Sequence, residues 1–262
     1  MPDLINPAKQ RLAANQAAIG FSIRQSRTVD VAQIAKTCGY DWMFIDMEHG
    51  ALDLETAAQI SLAALAVGIA PIVRVPGHEH HHATRVLDAG ALGIVVPHVD
   101  TAEQARRVAD QCRFPPTGHR SIPGALPQLG FEAMPVVQAM AKVDAATLLV
   151  VMLETEQAIA NADSIAAVDG IDVLLIGSND LTADMGIPGQ FGDAKLDRAY
   201  DVVIDAARRH GKHAGLGGIY EEKMMAHFIR KGAHFVLGGS DLAFMMVGAR
   251  SRASFLRSLP LG

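Results

Sequence analysis

The chain has 262 residues, of which 50 % are hydrophobic and 19 % are charged, a composition that is typical of a folded globular protein with a large core. Its formal net charge is -5 without a long basic or acidic run, so a nucleic-acid surface and a polybasic membrane patch are excluded and we expect a small-molecule partner. The two cysteines form no Cys-x-x-Cys pair, which excludes a disulfide framework and a thiolate zinc site and favours a reducing cytoplasm.

No segment has the pattern of a signal peptide or a membrane span. Residues 1–7 lack a basic region followed by an apolar stretch and a small-residue cleavage site. The most apolar window, 56–75, contains Gln59, Pro71 and Arg74, which predicts a helix, a turn and a strand.

Eight short apolar runs predict strands, and amphipathic stretches between them predict helices. The predicted strands are 18–23, 42–47, 71–75, 93–97, 148–153, 173–176, 213–216 and 235–237. The clearest predicted helices are 31–37, 54–67, 102–111, 197–210 and 221–230, and Thr101 with Gln104 forms a capping box.

This alternation predicts an α/β fold in which residues 1–262 form a single (β/α)8 TIM barrel. Such barrels run to about 250 residues as one domain. A doubly wound sheet is disfavoured because no Gly-x-Gly-x-x-Gly fingerprint follows the first strand. One segment, 112–130, is rich in proline and glycine and long for a connection; it is either a functional loop that sets specificity or a surface excursion.

Two carboxylates follow neighbouring predicted strands. Glu154 comes directly after the fifth strand and Asp180 shortly after the sixth. Because consecutive parallel strands are neighbours, both side chains should lie on one rim of the barrel. Two oxygen ligands there suit a hard divalent cation. Alternatively, Asp180 caps a helix and Glu154 pairs with a basic side chain.

Other polar residues occupy the same rim, where barrels collect their chemistry. The second strand ends in Asp46, Glu48 and His49, and the third contains Arg74, whose charge has to face the barrel mouth or be paired. His49 alone could equally be a partly buried imidazole without a catalytic role. The remaining members of the set are Asp88 in the following helix and Gly177, Ser178 and Asn179, whose backbone N–H groups can face an anion.

This set fits activation of a carbonyl compound. A metal chelated by a 2-oxo acid acts as a Lewis acid, and Arg74 stabilises the enolate that forms when a carbon–carbon bond breaks. His49 is the candidate base, with Asp88 as the candidate partner that holds and polarises its imidazole. Asp46 or Glu48 would orient metal-bound water.

Five ordered motifs resemble the HpcH/HpaI family of class II pyruvate aldolases, from about the first strand to the last helix. They are FIDMEHG (44–50), PIVRVP (71–76), LDAGA (87–91), VMLETE (151–156) and IGSNDLTADMG (176–186). The resemblance implies that Glu154 and Asp180 bind the metal, His49 is the base, Arg74 stabilises the enolate and Asp88 tunes the histidine.

The resemblance further implies cleavage of 4-hydroxy-2-oxo acids to pyruvate and an aldehyde, with magnesium, manganese or cobalt as cofactor. It implies a hexamer in which the last helix is exchanged between subunits. It also places substrate contacts at Met152 and Asn179; methionine, unlike the family's usual glutamine, cannot donate a side-chain hydrogen bond. The stretch from Ser22 to Ser26 departs from the family's Gly-Leu-Trp-type sequence, so the aldehyde pocket should differ.

Schiff-base aldolases of the same fold need a lysine near the open end of a strand. None of the lysines falls there, which favours a metal as the electron sink. They are Lys9, Lys36, Lys142, Lys195, Lys212, Lys223 and Lys231.

Other interpretations stay open at this point. The rivals are a CoA-ester lyase of the citramalyl- or malyl-CoA type and a non-catalytic barrel that binds a metal and an oxo acid. The histidines of 78–82 are too closely spaced to converge easily on one ion, and we expect a structural or solvent-facing role. The glycines of 217–218 and 238–239 either bind a phosphate or form turns.

Overall fold

Eight parallel strands form a closed barrel in a computed structural model that describes residues 4–260. Residues 1–3, part of the segment in which no signal peptide is expected, lie outside this range. Each strand pairs with the next along the chain, and β8 pairs with β1. The strands are β1 (Ala18–Ile23), β2 (Trp42–Asp46), β3 (Ala70–Arg74), β4 (Gly93–Val96), β5 (Leu148–Leu153), β6 (Val173–Gly177), β7 (His213–Gly217) and β8 (Ala233–Ser240).

Helices surround the barrel and return the chain from the carboxyl end of one strand to the amino end of the next. They are α1 (Pro7–Ala13), α2 (Val31–Thr37), α3 (Leu54–Val67), α4 (His80–Asp88), α5 (Ala102–Cys112), α6 (Val136–Ala146), α7 (Glu156–Ala160), α8 (Ala162–Ala166), α9 (Ser178–Asp184), α10 (Ala194–Arg209), α11 (Glu222–Lys231) and α12 (Asp241–Arg257). The predicted barrel and its eight strands are confirmed. The capping box is also present, since Gln104 N donates to Thr101 Oγ1 at 3.2 Å and Thr101 N donates to Gln104 Oε1 at 3.0 Å.

Side chains along each strand point alternately into two buried layers. Trp42 and Phe44 of β2 belong to the cluster that fills the barrel, whereas Met43 and Ile45 pack between the sheet and the helices. The Trp42 ring stacks on Phe235 with ring centroids 4.1 Å apart, and its Nε1 donates to the Ala18 carbonyl at 3.1 Å. Both faces of the strands are therefore apolar, which explains the continuous hydrophobic runs in the sequence.

The segment that follows α5 lies at the amino end of the barrel. Arg113 Nε donates to Gly170 O at 3.0 Å and its Nη1 to Asp144 O at 2.9 Å, and its guanidinium pairs with Asp172 just before β6. Segment 112–130 thus belongs to the return from α5 through α6 to β5 and lies opposite the carboxyl ends. The expectation that it sets substrate specificity is wrong for the site of its own chain, because helix-to-strand connections all lie at the amino end.

The last helix, α12, is the most exposed of the described helices. Only Asp241, at its first position, is buried, while large apolar side chains such as Met245 (59 % exposed) and Val247 (70 %) face outward. No helix within residues 4–260 combines the length and the apolar character that crossing a membrane requires.

The contact between Gly20 and Trp42 gives a test of the barrel packing. A Cβ on Gly20 would lie 2.3 Å from the indole, so Gly20→Ala should lower the free energy of unfolding by about 1–3 kcal/mol. Urea denaturation at fixed protein concentration, followed by the fluorescence of Trp42, measures the change. Gly192→Ala is the control, because no atom lies within 4 Å of its added methyl group. Equal stability of the two variants would contradict the packing described here.

Candidate active site

A cavity of about 250 Å³ opens at the carboxyl end of the barrel. Its wall joins residues that are far apart in the chain but close to the ends of β2, β3, β5 and β6. Those predicted from the sequence are Asp46, His49, Arg74, Met152, Gly177, Ser178, Asn179 and Asp180. The structure therefore brings most of the predicted set to one place.

Asp46 and Arg74 form the buried ion pair of this site. They are register partners on β2 and β3, and Arg74 Nε and Nη2 donate to Asp46 Oδ1 and Oδ2 at 3.0 and 2.7 Å. Burial raises the pKa of Asp46, but the hydrogen bonds and charge of Arg74, with two backbone N–H groups, outweigh it and hold that pKa below its usual value. Asp46 remains ionised, and Arg74 is fixed with its guanidinium on the cavity wall.

The same carboxylate arranges the chain that follows β2. Asp46 Oδ1 accepts hydrogen bonds from the backbone N–H groups of Glu48 and His49, both at 3.1 Å. With these and Arg74 bound, Asp46 has little capacity left to orient water, which favours Glu48 of the two residues predicted for that role. Glu48 Oε2 lies 3.0 Å from Arg74 Nη1. The His49 side chain is half exposed, so its imidazole is accessible to a bound molecule.

Glu154 is buried beside the exposed Asp180. Its Oε2 accepts a hydrogen bond from the backbone N–H of His98 at 2.8 Å and lies 3.1 Å from His98 Nδ1. Burial raises the pKa of Glu154; His98 opposes this, and the charges of Asp180 and Glu48 add to it. Glu154 therefore pairs with a histidine rather than with a lysine or arginine, and its carboxylate is one that a cation would stabilise.

Asp180 lies in the first turn of α9 without acting as its cap. Gly177 is the N-cap residue, and no side chain makes a capping hydrogen bond at this helix. The alternative that Asp180 serves only as a helix cap is therefore wrong. Its carboxylate stays free for a ligand at the rim.

Glycine at position 177 leaves room for the neighbouring Glu154 carboxylate. A Cβ there would lie 2.6 Å from Glu154 Oε1. Ser178, the next residue, is buried, and its hydroxyl is 2.8 Å from the Tyr200 hydroxyl. Its side chain is thus engaged in packing, which leaves its backbone for the predicted substrate contact. Gly218 has a positive φ of +86°, and a Cβ on it would lie 3.0 Å from Asn179 Nδ2.

Asp88 does not join His49 within one chain. It is the last residue of α4, so it lies at the amino end of the barrel, and its carboxylate pairs with Arg120 Nη2 at 2.6 Å. The prediction that Asp88 polarises His49 is therefore wrong for the site of its own chain. The physical reason is that the end of a helix in this fold lies a full barrel length from the carboxyl ends of the strands.

Two residues of the site were missed in the sequence. His98 comes two residues after β4, directly after the run predicted as the fourth strand, and spans two acids, with Nε2 3.2 Å from Glu48 Oε1 in addition to its contacts with Glu154. Its φ of +54° is unusual for a residue with a side chain. Arg24 directly follows β1 and lies on the cavity wall. The rule that found Glu154, a polar residue immediately after an apolar run, would have found both.

The remaining histidine cluster is not part of this site. His78 Nε2 lies 2.7 Å from the Pro97 carbonyl, and the residues from His80 onward begin α4. In the part of the chain that the structure describes, no three His, Cys, Asp or Glu side chains converge as a metal-binding group. A cation at Glu154 and Asp180 would thus take two protein carboxylates and complete its shell with water and substrate oxygens, as magnesium commonly does.

The chain belongs to the HpcH/HpaI aldolase/citrate lyase family, whose model matches residues 24–247. It is 40 % identical over 265 aligned positions to a 4-hydroxy-4-methyl-2-oxoglutarate aldolase of Hapsidospora irregularis, an alignment that covers 97 % of each chain. It is 34 % identical to a 4-hydroxy-2-oxovalerate aldolase of Novosphingobium aromaticivorans, covering 94 % of this chain and 92 % of the relative.

Solved structures agree with this assignment. The HpcH/HpaI aldolase from Desulfitobacterium hafniense superposes with a TM-score of 0.91 at 27 % identity, covering 96 % of this chain and 97 % of the other. The interpretation of the sequence as a class II aldolase, a carbon–carbon lyase, is confirmed by these comparisons. These comparisons favour an enzyme over the alternative of a non-catalytic barrel.

The contact between Gly177 and Glu154 gives a test of the carboxylate pair. Gly177→Ala should displace the buried Glu154 carboxylate and weaken Mn²⁺ binding by about 10- to 100-fold. Isothermal titration calorimetry measures the affinity without any substrate. Gly192→Ala again serves as the control, and circular dichroism checks that both variants keep the fold. Unchanged Mn²⁺ affinity in Gly177→Ala would show that a cation does not use Glu154 in this position.

Proposed function

We propose that the protein catalyses reversible retro-aldol cleavage of 4-hydroxy-2-oxo acids to pyruvate, or a close 2-oxo acid, and an aldehyde. The observation that supports this most directly is the convergence of His49, the Asp46–Arg74 pair and Asp180 on one cavity, with the buried Glu154 carboxylate directly against Gly177 of its wall. The names of the relatives from H. irregularis and N. aromaticivorans, both aldolases of 4-hydroxy-2-oxo acids, support the same substrate class.

Glu154 and Asp180 would hold a divalent metal ion, which we propose to be magnesium, manganese or cobalt. Their oxygen donors and the buried position of Glu154 fit such an ion, and the missing side chain at Gly177 makes room for the Glu154 carboxylate. When bound, the ion supplies Lewis-acid polarisation of the 2-oxo group. The negative charge that burial makes costly at Glu154 is then compensated.

His49 acts as the base in this proposal. It accepts the proton of the C4 hydroxyl, the C3–C4 bond breaks, C4 becomes the aldehyde carbonyl, and the bonding pair remains on C3 as the enolate of the 2-oxo acid. Return of a proton to C3 then yields pyruvate. The half-exposed imidazole lies on the cavity wall, and the hydrogen bond from the His49 backbone N–H to Asp46 fixes the main chain that carries it.

Arg74 stabilises the enolate oxygen. Its guanidinium is only 9 % exposed and is held from two sides by Asp46 and Glu48, so it needs little reorganisation when charge develops beside it. Met152 Sδ lies 3.9 Å from Arg74 Nη1 and occupies the position where the family commonly has glutamine. Met152 and Phe44 give this part of the wall an apolar character that excludes water from the reacting carbons.

A Schiff-base mechanism finds no support in the site. None of the residues that line the cavity is a lysine. Six of the chain's lysines lie on helices, and Lys212 precedes β7 at the amino end of the barrel. The carbonyl of the substrate therefore has no amine to condense with.

We further propose a cytoplasmic hexamer in which α12 packs on a neighbouring subunit. Exposed apolar side chains along α12, including Met245 and Val247, support such an exchange, since a free helix would leave them in water. Two unpaired cysteines, Cys38 and Cys112, support a reducing compartment. In such an assembly, Asp88 and segment 112–130 could act only on the site of a neighbouring subunit.

Pyruvate release tests this proposal. EDTA-treated enzyme should cleave no 4-hydroxy-2-oxo acid, and added Mg²⁺, Mn²⁺ or Co²⁺ should restore cleavage, while borohydride should trap no adduct. Glu154→Gln or Asp180→Asn should lower kcat/KM on the order of 1,000-fold, because several kcal/mol of charge stabilisation is lost. Glu156→Gln, which changes an acid of α7 outside the cavity, is the matched control. Full activity in either ligand variant would remove the proposed metal site.

His49→Ala tests the base separately. Loss of the proton acceptor should lower kcat by about 100- to 10,000-fold and leave the affinity for pyruvate nearly unchanged. Exchange of the C3 protons of pyruvate into D₂O, followed by nuclear magnetic resonance, isolates the proton transfer from bond cleavage. If His49→Ala lost metal affinity but kept the exchange, the assignment of His49 as the base would be wrong.

A further inference from the structure

Arg24 is a second guanidinium on the cavity wall, and the proposed reaction does not use it. It follows β1 and is 41 % exposed. Its Nη2 donates to the His49 carbonyl at a long 3.4 Å, and its Nε is 3.7 Å from Asp46 Oδ2. Both contacts are weak, so most of its five donors are available to a ligand.

The positive charge of Arg24 is poorly compensated in comparison with that of Arg74. Arg74 has Asp46 at 2.7 Å and Glu48 at 3.0 Å. The carboxylate within 4 Å of the Arg24 guanidinium is that of Asp46, but its oxygens already accept two hydrogen bonds from Arg74 and two from the backbone. The guanidinium of Arg24 therefore has N–H donors available for a negatively charged group of a substrate, whereas the guanidinium of Arg74 is already paired.

The backbone at Arg24 is held in place. Asp241, at the start of α12, accepts hydrogen bonds from the N–H groups of Arg24, Gln25 and Ser26 at 3.1, 3.0 and 2.7 Å. Asp241 is 9 % exposed, and this carboxylate ties the β1–α2 connection to the end of β8. The guanidinium of Arg24 thus projects from a fixed point, which lowers the entropy lost when it binds an anion.

Arg24 lies across the barrel from the proposed metal ligands. Strand β1 is four strands away from β5 in the closed ring, whereas Glu154 and Asp180 follow β5 and β6. Hydroxyl groups accompany Arg24 on its side, since Ser22, Tyr220 and Ser240 also line the cavity. A substrate with its 2-oxo acid end at the carboxylates would direct its C4 substituent toward this polar wall.

We propose that Arg24 binds a second carboxylate, carried on C4, and that the preferred substrates are 4-hydroxy-2-oxo diacids. This inference rests on the proposed aldolase function. The bond changes are those given above: C3–C4 breaks, the hydroxyl proton passes to His49, and C4 becomes a carbonyl. Because the second carboxylate stays on C4, the aldehyde product is itself a 2-oxo acid, glyoxylate in the simplest case. Arg24 then discriminates among substrates without taking part in the proton transfer.

A pair of nearly isosteric substrates tests the assignment. 4-Hydroxy-2-oxoglutarate releases pyruvate and glyoxylate, whereas 4-hydroxy-2-oxovalerate has a methyl group in place of the second carboxylate and releases pyruvate and acetaldehyde. The wild-type enzyme should show the higher kcat/KM with the diacid. Arg24→Gln should lower the ratio of the two kcat/KM values on the order of 10- to 100-fold, the loss of one charged hydrogen-bonded pair. Arg24→Lys should restore part of the ratio, since it keeps the charge but loses the fork.

Arg27→Gln is the matched control, because Arg27 is an exposed arginine of the same connection that does not line the cavity. Inhibition by 2-oxoglutarate and 2-oxopentanoate, which differ in the same carboxylate, should show the same loss of preference in Arg24→Gln. Equal ratios in wild type and Arg24→Gln, with active enzyme, would overturn the role of Arg24 and leave the aldolase function standing. Absence of pyruvate from both substrates with every metal would instead overturn the proposed function.

Discussion

The buried pair of Asp46 and Arg74 is the interaction on which the catalytic end of this barrel depends. A guanidinium cannot lose its charge at physiological pH, so placing it in β3 requires an acid within reach. The parallel register supplies that acid directly opposite on β2. Once fixed, Asp46 also binds the backbone of Glu48 and His49, so one carboxylate positions the proposed base, its acidic neighbour and the electrophilic arginine together.

A second constraint operates on β5 and β6, where a buried acid is tolerated only because of its surroundings. Glu154 is stabilised by the backbone and imidazole of His98, and Gly177 leaves the space that its carboxylate fills. These contacts only partly offset the cost of burying its negative charge, since burial still raises the pKa of Glu154. The negative charge at Glu154 is thus incompletely compensated, and a cation at the rim would compensate it. The stability of this part of the barrel is therefore linked to the proposed metal.

Most of the barrel could be predicted because its strands are buried on both faces and stand out as continuous apolar runs. The site was predictable to the extent that its residues follow such runs, as Glu154 does. Asp88 was misplaced because it is the last residue of a helix, and in this fold the helices end at the amino end of the barrel. A motif alone does not show at which end of the barrel a residue lies. His98 was overlooked because it is a single polar residue between Pro97 and Val99, whereas Arg24 lay in a stretch noted for its departure from the family pattern without any residue being singled out.

The two ends of the barrel differ in how completely their charges are paired, and this difference separates stability from function. At the amino end, the guanidinium of Arg113 bonds to three carbonyl groups and to Asp172, so it ties neighbouring segments together and has few donors left for a ligand. At the carboxyl end, Arg24 and Asp180 keep exposed charges of opposite sign on facing sides of one cavity. Unpaired charges contribute little to folding but bind a ligand of complementary charge when water is displaced. A metal-chelated 2-oxo acid with a second carboxylate would complement both charges at once. Its metal ion would lie beside Asp180, and its second carboxylate would pair with Arg24.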